Sequence, residues 1–352
     1  MATLRLSLSI LGPGLLASLL SISGHCHGDP VAPASVQGAV ERGLHYLQQE
    51  AFRWKEERRC AACHHAAAMI WTFNEARARG YGVDEQARRE ITDWAFDAKR
   101  NLLTEQAPPR DVLNLGWVYL LLSVELADAP DRFTNNPAAD DRVFIGNQAL
   151  ARETLIRQIV QKQGADGSWG LPLDLRVPLG GPSEDIALLA RTALLQVDQP
   201  SPAVADVIRK AGDWLAANRE HTSRQGRNLR LLMELMERKP GPALTNELAA
   251  IEGEQNLDGG WSQTAEMPSD AYATGQTIYV LARAGVSPES ACLQRGVAFL
   301  TRTAQPAGAW PMTSRVNAHN LTPITGAGTA WAVLGLVRAS PPPSSPKPIR
   351  AE

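Results

Sequence analysis

The chain has 352 residues, 44% hydrophobic and 20% charged, an ordinary globular composition with apolar material for one large core or two modest ones, which excludes bulk disorder. Its 35 basic and 37 acidic residues are evenly mixed and leave a net charge of -2, so no basic face argues for nucleic acid or an anionic membrane surface. Four cysteines are too few for a disulfide-built scaffold, and the fold must stand on its core.

Residues 1–24 read as a signal peptide. Arg5 precedes an apolar run from Leu6 to Leu20, which gives way to Ser21, Ser23 and Gly24 in the order of an export signal. The run is broken by Gly12, Pro13 and Gly14 and is short for a membrane-spanning helix of about 20 residues. The expected destination is the periplasm or the medium, with membrane anchoring as the alternative if the leader stays uncleaved.

From residue 36 to 339 two kinds of helix alternate. One-sided helices with charged faces are predicted near 36–50, 84–104, 145–162, 202–218, 242–255 and 288–303. Each is followed by a stretch that is apolar nearly all round, near 64–79, 111–127, 184–196, 225–238, 270–284 and 325–339. The first kind suits an outer ring and the second an inner ring buried on most sides. Six pairs suffice to close a double-layered α6/α6 toroid, whereas an open solenoid has no fixed repeat number and wants polar end caps. The Pro- and Ser-rich stretch 340–352 has no apolar period and is expected to be a solvated tail.

Between the first two helices lies Cys60-Ala-Ala-Cys63-His64-His65. Cys-x-x-Cys-His is the attachment pattern of c-type haem, whose vinyl groups take the two thiols while the His ligates iron. A Cys60–Cys63 disulfide is open as well in an oxidising compartment. So is zinc held by Cys60, Cys63, His64 and His65, although four ligands within six residues crowd a tetrahedral site.

Further along, two inner helices begin with acids after Pro-Ser: Glu184 and Asp185, then Asp270. Their bland role is to accept bonds from the unpaired amides of the first helical turn. Their chemical role would arise if the helix starts open on one cavity mouth, where Glu184, Asp185 and Asp270 could converge as general acids or metal ligands. Tyr272 and Gln276, one and two turns into the same helix as Asp270, would face that cavity, and His319 precedes the last inner helix at the same end.

The connectors repeat. Gln163-Gly-Ala-Asp-Gly-Ser-Trp169 recurs as Gln255-Asn-Leu-Asp-Gly-Gly-Trp261 and, more weakly, as Gln305-Pro-Ala-Gly-Ala-Trp310. Asp-Gly and Gly-Gly supply turn residues with positive φ, and the Trp buries a large ring against the neighbouring pair. Gln-x-x-Asp-Gly-x-Trp connectors between alternating helices resemble those of the prenyltransferase and squalene-cyclase repeat superfamily. That resemblance, spanning roughly 36 to 339, implies an α/α toroid whose central cavity holds an isoprenoid or another apolar ligand. The acidic Asp-x-Asp-Asp pattern of its cyclases is absent. The zinc set of its protein prenyltransferases is matched only by Asp270 and His319, since Cys292 falls on an outer helix. A cyclase- or transferase-like activity, a non-catalytic binding or scaffold role with a protein partner, and a haem-linked redox role are the functions these features leave open.

Overall fold

The computed structural model describes residues 33–57, 64–97, 113–125, 147–170, 183–218, 223–237, 242–312, 315 and 321–343. The leader segment 1–24, Cys60, Cys63, His319 and most of the tail lie outside these residues. Within them are twelve helices: α1 (Pro33–Glu57), α2 (His64–Ala78), α3 (Glu85–Ala95), α4 (Leu115–Glu125), α5 (Asn147–Gln161), α6 (Ser183–Leu195), α7 (Pro202–Ala217), α8 (Arg224–Met236), α9 (Pro242–Gly253), α10 (Ala271–Arg283), α11 (Ala291–Thr303) and α12 (Leu321–Ala339). They follow the expected outer and inner stretches one for one.

The even-numbered helices pack in sequence, α2 on α4, α4 on α6, α6 on α8, α8 on α10 and α10 on α12, and α12 returns to pack on α2. That last contact closes the inner ring. The odd-numbered helices lie outside it, α3 on α2, α5 on α4, α7 on α6, α9 on α8 and α11 on α10, and α1 packs on α2 and touches both α11 and α12 across the seam between chain start and chain end. The protein is an all-helical α/α toroid.

Composition explains the layering. In α4 every side chain described is buried, from Leu115 through Val124, because Leu-Gly-Trp-Val-Tyr-Leu-Leu-Leu has no polar stripe to offer solvent. In α7 only Val204, Val207, Ala211 and Leu215 are buried, at spacings of three and four, which makes a single apolar stripe. The closest approach in the inner ring is between α10 and α12. A Cβ on Gly275 would collide with the Trp331 carbonyl, and one on Gly335 would come within 2.7 Å of the Gly275 carbonyl oxygen. Two glycines thus let the backbones meet directly.

The connectors lock each pair to the next. The indole Nε1 of Trp169, Trp261 and Trp310 donates to the carbonyl ten residues earlier, on Ile159, Ile251 and Leu300, at 2.9, 2.8 and 2.8 Å. Each Trp thereby caps the end of the outer helix it follows. Gln163 and Gln255 reach forward instead, donating to Val207 of α7 at 2.9 Å and Cys292 of α11 at 2.8 Å. Gly167, Gly259 and Gly308 hold φ of 95°, 90° and 84° and abut the backbones of Lys210, Arg295 and Arg42. The third of these places the last connector on α1, so the same device that joins successive repeats also fastens the ring shut. The Gln-x-x-Asp-Gly-x-Trp motif is a structural joint.

Because inner and outer helices alternate, all six inner helices run the same way, with their starts at one end of the barrel and their last turns at the other. The far end is plugged by buried charge. Glu75 of α2, fully buried, accepts from Tyr279 Oη at 2.6 Å, Arg283 Nη1 at 3.4 Å and Arg338 Nε at 2.5 Å, while Arg191 pairs with Glu237. Arginines at these positions also face the negative ends of the inner-helix dipoles. Among the described residues no helix is long and apolar enough to cross a membrane.

Candidate functional site

The helix starts of the inner ring carry the polar cluster that the sequence located in part. Glu184 and Asp185 occupy the first turn of α6. Ser223 N-caps α8, accepting from Gly226 N at 3.0 Å, and Asp270 N-caps α10, accepting from Ala273 N at 2.8 Å. These residues share one end of the barrel because the alternation of outer and inner helices leaves no other place for them.

Asp270 fulfils its bland role. Its Oδ1 takes the Ala273 amide and its Oδ2 takes Gln263 Nε2 at 2.5 Å. Burial still pushes its carboxyl up, against those bonds and the pull of Arg315.

Asp185 differs. It is 1% exposed, and its Oδ2 finds no hydrogen-bond partner among the described residues. Its other oxygen, Oδ1, lies against the first turn of α8, 2.7 Å from where a Cβ on Gly226 would stand. Gly226 is therefore a glycine for space: any side chain would displace the carboxylate. Burial, the largest influence, raises the Asp185 carboxyl to about 7; the Glu184 charge adds to the rise, while Arg315 and a hydrogen bond from Ser223 oppose it. Desolvation of the charged form is the cause, since a buried carboxylate gives up more hydration than one guanidinium and one hydroxyl return.

Arginines and tyrosines complete the cluster, and none of the arginines was singled out by the sequence. Arg230 of α8 reaches back to pair with Glu184, both of them buried. Arg315 donates to Gln225 Oε1 at 3.1 Å and acts electrostatically on Asp185, Asp270 and Tyr272 together. Tyr119 of α4 and Tyr272 of α10 are hydrogen-bonded through their hydroxyls, and burial raises both phenols. Asn228 bridges α8 to α10 through Thr277 Oγ1 at 2.9 Å and Gln276 Oε1 at 3.5 Å. Tyr272 and Gln276 lie buried on α10, the helix that Asp270 caps, and neither lines the apolar pocket beside Trp71 and Trp331. The sequence of α8, which carries Arg224 and Arg227 as well, offers no signal that sets Arg230 or Asn228 apart as buried.

Beside the charged residues the lumen turns apolar. A small apolar pocket is lined by Ala67, Ala68 and Trp71 of α2, Tyr119 of α4, and Ala327, Ala330, Trp331 and Leu334 of α12. Four alanines leave the room, and the rings of Trp71 and Trp331, 5.2 Å apart and steeply inclined, form a wall. Trp331 also meets Tyr272 edge-on at 6.3 Å, and Tyr119 faces this cavity while feeling the Asp185 charge. Tyr119 is thus the link between the apolar pocket and the helix-start acids.

Of the Cys-x-x-Cys-His stretch, Cys60, Cys63 and the His64 side chain lie outside the described residues. His65 is buried and stacks flat on Trp54, centroids 4.1 Å apart and planes 11° from parallel, next to Gly326 of α12. Among the described residues no group of three or more His, Cys, Asp or Glu side chains could hold a metal ion.

No family model and no curated protein matches the chain. Solved structures do. A glycosidase variant in complex with glucose superimposes with a TM-score of 0.57 over 87% of this chain and 98% of its own, at 11% identity. A protein of Salmonella enterica subsp. enterica serovar Paratyphi A str. ATCC 9150, described as "a possible member of GH105 family", gives 0.52 over 94% and 98%, at 15% identity. These likenesses establish the fold, an α/α toroid.

They also correct the expected kinship. The structures this chain resembles are glycosidases, and not members of the prenyltransferase and squalene-cyclase superfamily. The physical reason is in the connectors: their Gln, Gly and Trp bind backbone carbonyls and pack neighbouring pairs, so they encode how a toroid is joined and nothing about what its cavity holds. The expected isoprenoid-like or other apolar ligand falls with the kinship, as one of the two neighbours holds a sugar. So does the terpenoid cyclase or prenyltransferase-like activity that rested on it, while the haem reading rests on Cys60, Cys63 and the His64 side chain, which lie outside the described residues.

Proposed function

We propose that this protein is a carbohydrate-processing toroid that cleaves a glycosidic bond at the inner-helix starts, with Asp185 as its general acid. The observation that carries the proposal is Asp185 itself: a buried carboxyl raised to about 7, one oxygen of which is without a partner among the described residues. A carboxyl in that range holds its proton near neutrality yet can release it, as proton donation to a leaving oxygen requires.

The chemistry is balanced by a second carboxylate. Asp185 gives its proton to the bridging oxygen as the bond to the anomeric carbon breaks. Water adds to that carbon, and its proton passes to Asp270, which acts on the same Tyr272 as Asp185 does. Glu184, tied to Arg230, holds that guanidinium in place. Sugars carry hydroxyls around their edge and C–H groups on their faces, and the inner ring offers polar groups in Asp185, Arg230 and Gln276 and ring faces in Trp71, Tyr119 and Trp331. The two glycosidase neighbours agree with this reading. Export, which the apolar run Leu6–Leu20 suggests, would suit an enzyme that meets glycans outside the cytoplasm.

The test is turnover of a panel of aryl glycosides by the full chain and by Asp185→Asn. Release of aglycone by the wild type, with a loss of about 100-fold or more in the variant, is the expected result. Full activity in Asp185→Asn would remove Asp185 from the role, and no release from any member of the panel would overturn the proposed reaction.

A further inference from the structure

Next to the apolar pocket lies a buried cluster that the proposed chemistry does not use. Glu75 of α2 accepts from Tyr279 Oη of α10 at 2.6 Å and from Arg338 Nε of α12 at 2.5 Å, and Arg283 of α10 donates to the Tyr279 hydroxyl at 3.0 Å. In the inner ring α2 and α10 are separated by α12, which packs on both. The bond from Glu75 to Tyr279 therefore crosses the lumen, and both residues are fully buried. Taking a carboxylate and two guanidiniums out of water is costly, and apolar side chains of the same volume would hold the three helices together as well or better. Stability alone does not explain the cluster.

Its neighbours give the reason. The Tyr279 ring meets Trp71 edge-on at 5.9 Å and Trp331 at 5.7 Å, and these two indoles meet each other at 5.2 Å. Three rings, from α10, α2 and α12, thus form a nearly equilateral triangle of edge-to-face contacts. Two of its corners, Trp71 and Trp331, line the pocket, whose other walls include four alanines. The third corner, Tyr279, stands outside the lining and braces both. An aromatic ring is free to change its tilt within a rotamer well unless its outer end is held. The outer end of Tyr279 is held twice, since its hydroxyl donates to Glu75 and accepts from Arg283, whose guanidinium also lies 5.5 Å from the ring centroid. Burial raises the Tyr279 phenol, with Arg283 opposing the rise, so the hydroxyl keeps the proton it gives to Glu75.

We infer that Glu75 is a positioning residue of the lumen: by holding Tyr279 it sets the inclination of Trp71 and Trp331, and with it the shape of the apolar pocket. Arg338 fixes Glu75 in turn. The bearing of this device on a substrate rests on the reading of the lumen as a saccharide site, in which these indoles supply ring faces. Its bearing on the indoles themselves does not.

The experiment is fluorine NMR of the full chain labelled with fluorotryptophan, the two resonances being assigned from Trp71→Phe and Trp331→Phe. Tyr279→Phe keeps the ring and removes only the hydroxyl, so the resonances of Trp169, Trp261 and Trp310 should stay in place. Those of Trp71 and Trp331 should broaden or split as the indoles lose their fixed tilt. Glu75→Asp, which keeps the charge but withdraws the carboxylate from the hydroxyl, should do the same. Arg283→Met leaves the bonds from Glu75 to Tyr279 and Arg338 intact and should leave both resonances sharp. With an aryl glycoside, Tyr279→Phe should raise KM about 10-fold and hold kcat within about twofold, the pattern of lost uniform binding. Sharp, unshifted Trp71 and Trp331 resonances in Tyr279→Phe or Glu75→Asp, equal broadening in Arg283→Met, or a fall in kcat at unchanged KM would overturn the inference. Broadening in a protein whose wild type turns over no glycoside would refute the proposed reaction and leave the positioning role standing; turnover with unaltered indoles would refute the positioning role alone.

Discussion

Ring closure can be tested by a single methyl group. Gly308 and Gly80 have nearly the same backbone, φ of 84° and 80°, but a Cβ on Gly80 would meet nothing within 4 Å, whereas one on Gly308 would strike the Arg42 carbonyl of α1. Gly80→Ala therefore incurs only the cost of placing an L-residue in the left-handed region, roughly 1–2 kcal/mol. Gly308→Ala incurs the same cost and in addition must push the last connector off α1. Overpacking of that kind costs about 1–3 kcal/mol, for a total of about 2–5 kcal/mol. Urea unfolding at 25 °C, read by far-UV circular dichroism with both variants and wild type at equal m, gives the two losses. Equal losses in the two variants would mean that the seam between chain start and chain end is not packed, and the closed toroid would be wrong.

Four further outcomes are expected. Trp261→Ala should cost about 3–5 kcal/mol, because the ring is 1% exposed and Nε1 ties down the Ile251 carbonyl; a loss below about 1 kcal/mol in the same assay would place the ring at the surface. Asp270→Ala should cost about 1 kcal/mol through loss of the α10 cap, and Asp270→Asn much less; equal losses would mean that the cap is not what Asp270 supplies. Breaking the buried pair by Glu184→Gln should destabilise by about 3–5 kcal/mol, and a loss under about 1 kcal/mol would show the pair to be solvated. The Asp185 carboxyl, raised by burial to about 7, gives the native state a proton that the unfolded chain has released above its ordinary value near 4. Its contribution is fully present below about pH 4 and is lost as pH rises toward 7. Asp185→Asn should therefore match wild type in stability near pH 4 and exceed it above pH 7 by a few kcal/mol, growing by about 1.4 kcal/mol for each pH step between those limits. A stability difference that does not change across pH 4–7 would refute the raised carboxyl.

The architecture was legible because it is repeated. Two kinds of helix alternate six times, and all three connectors place a Gly in the turn, after Asp in two of them, and a Trp as the anchor, so local pattern and global fold agree. The helix-start acids were legible for a related reason: Pro-Ser before Glu184-Asp185 and before Asp270 marks a helix start, and six inner helices running one way bring such starts together. Which acid is poised for chemistry was not legible. Asp270, beside the clearest connector, caps its helix and is bonded through both oxygens, while Asp185 keeps a bare oxygen because Gly226 on another helix makes room for it. Arg230 and Arg315 escaped notice since an arginine in sequence reads as solvated, and only the fold reveals the buried Glu184 or the shared carboxylates that hold it. The same holds for Glu75, 204 residues from its partner Tyr279. The mistaken kinship has the opposite origin: the connector motif is specific for a joint and not for a lineage, because the joint is required wherever outer and inner helices must be fastened into a ring.

The most direct measurement is a crystal structure of Asp185→Asn grown with a glucose disaccharide. The sugar is expected at the starts of α6, α8 and α10, with hydroxyls within about 3.2 Å of residue 185, Arg230 and Gln276, and with a ring face toward Trp331 or Tyr119. A disaccharide bound only on the outer surface of the ring, or a lumen in which those three residues touch no sugar, would contradict the assignment of the inner-helix starts as a saccharide site.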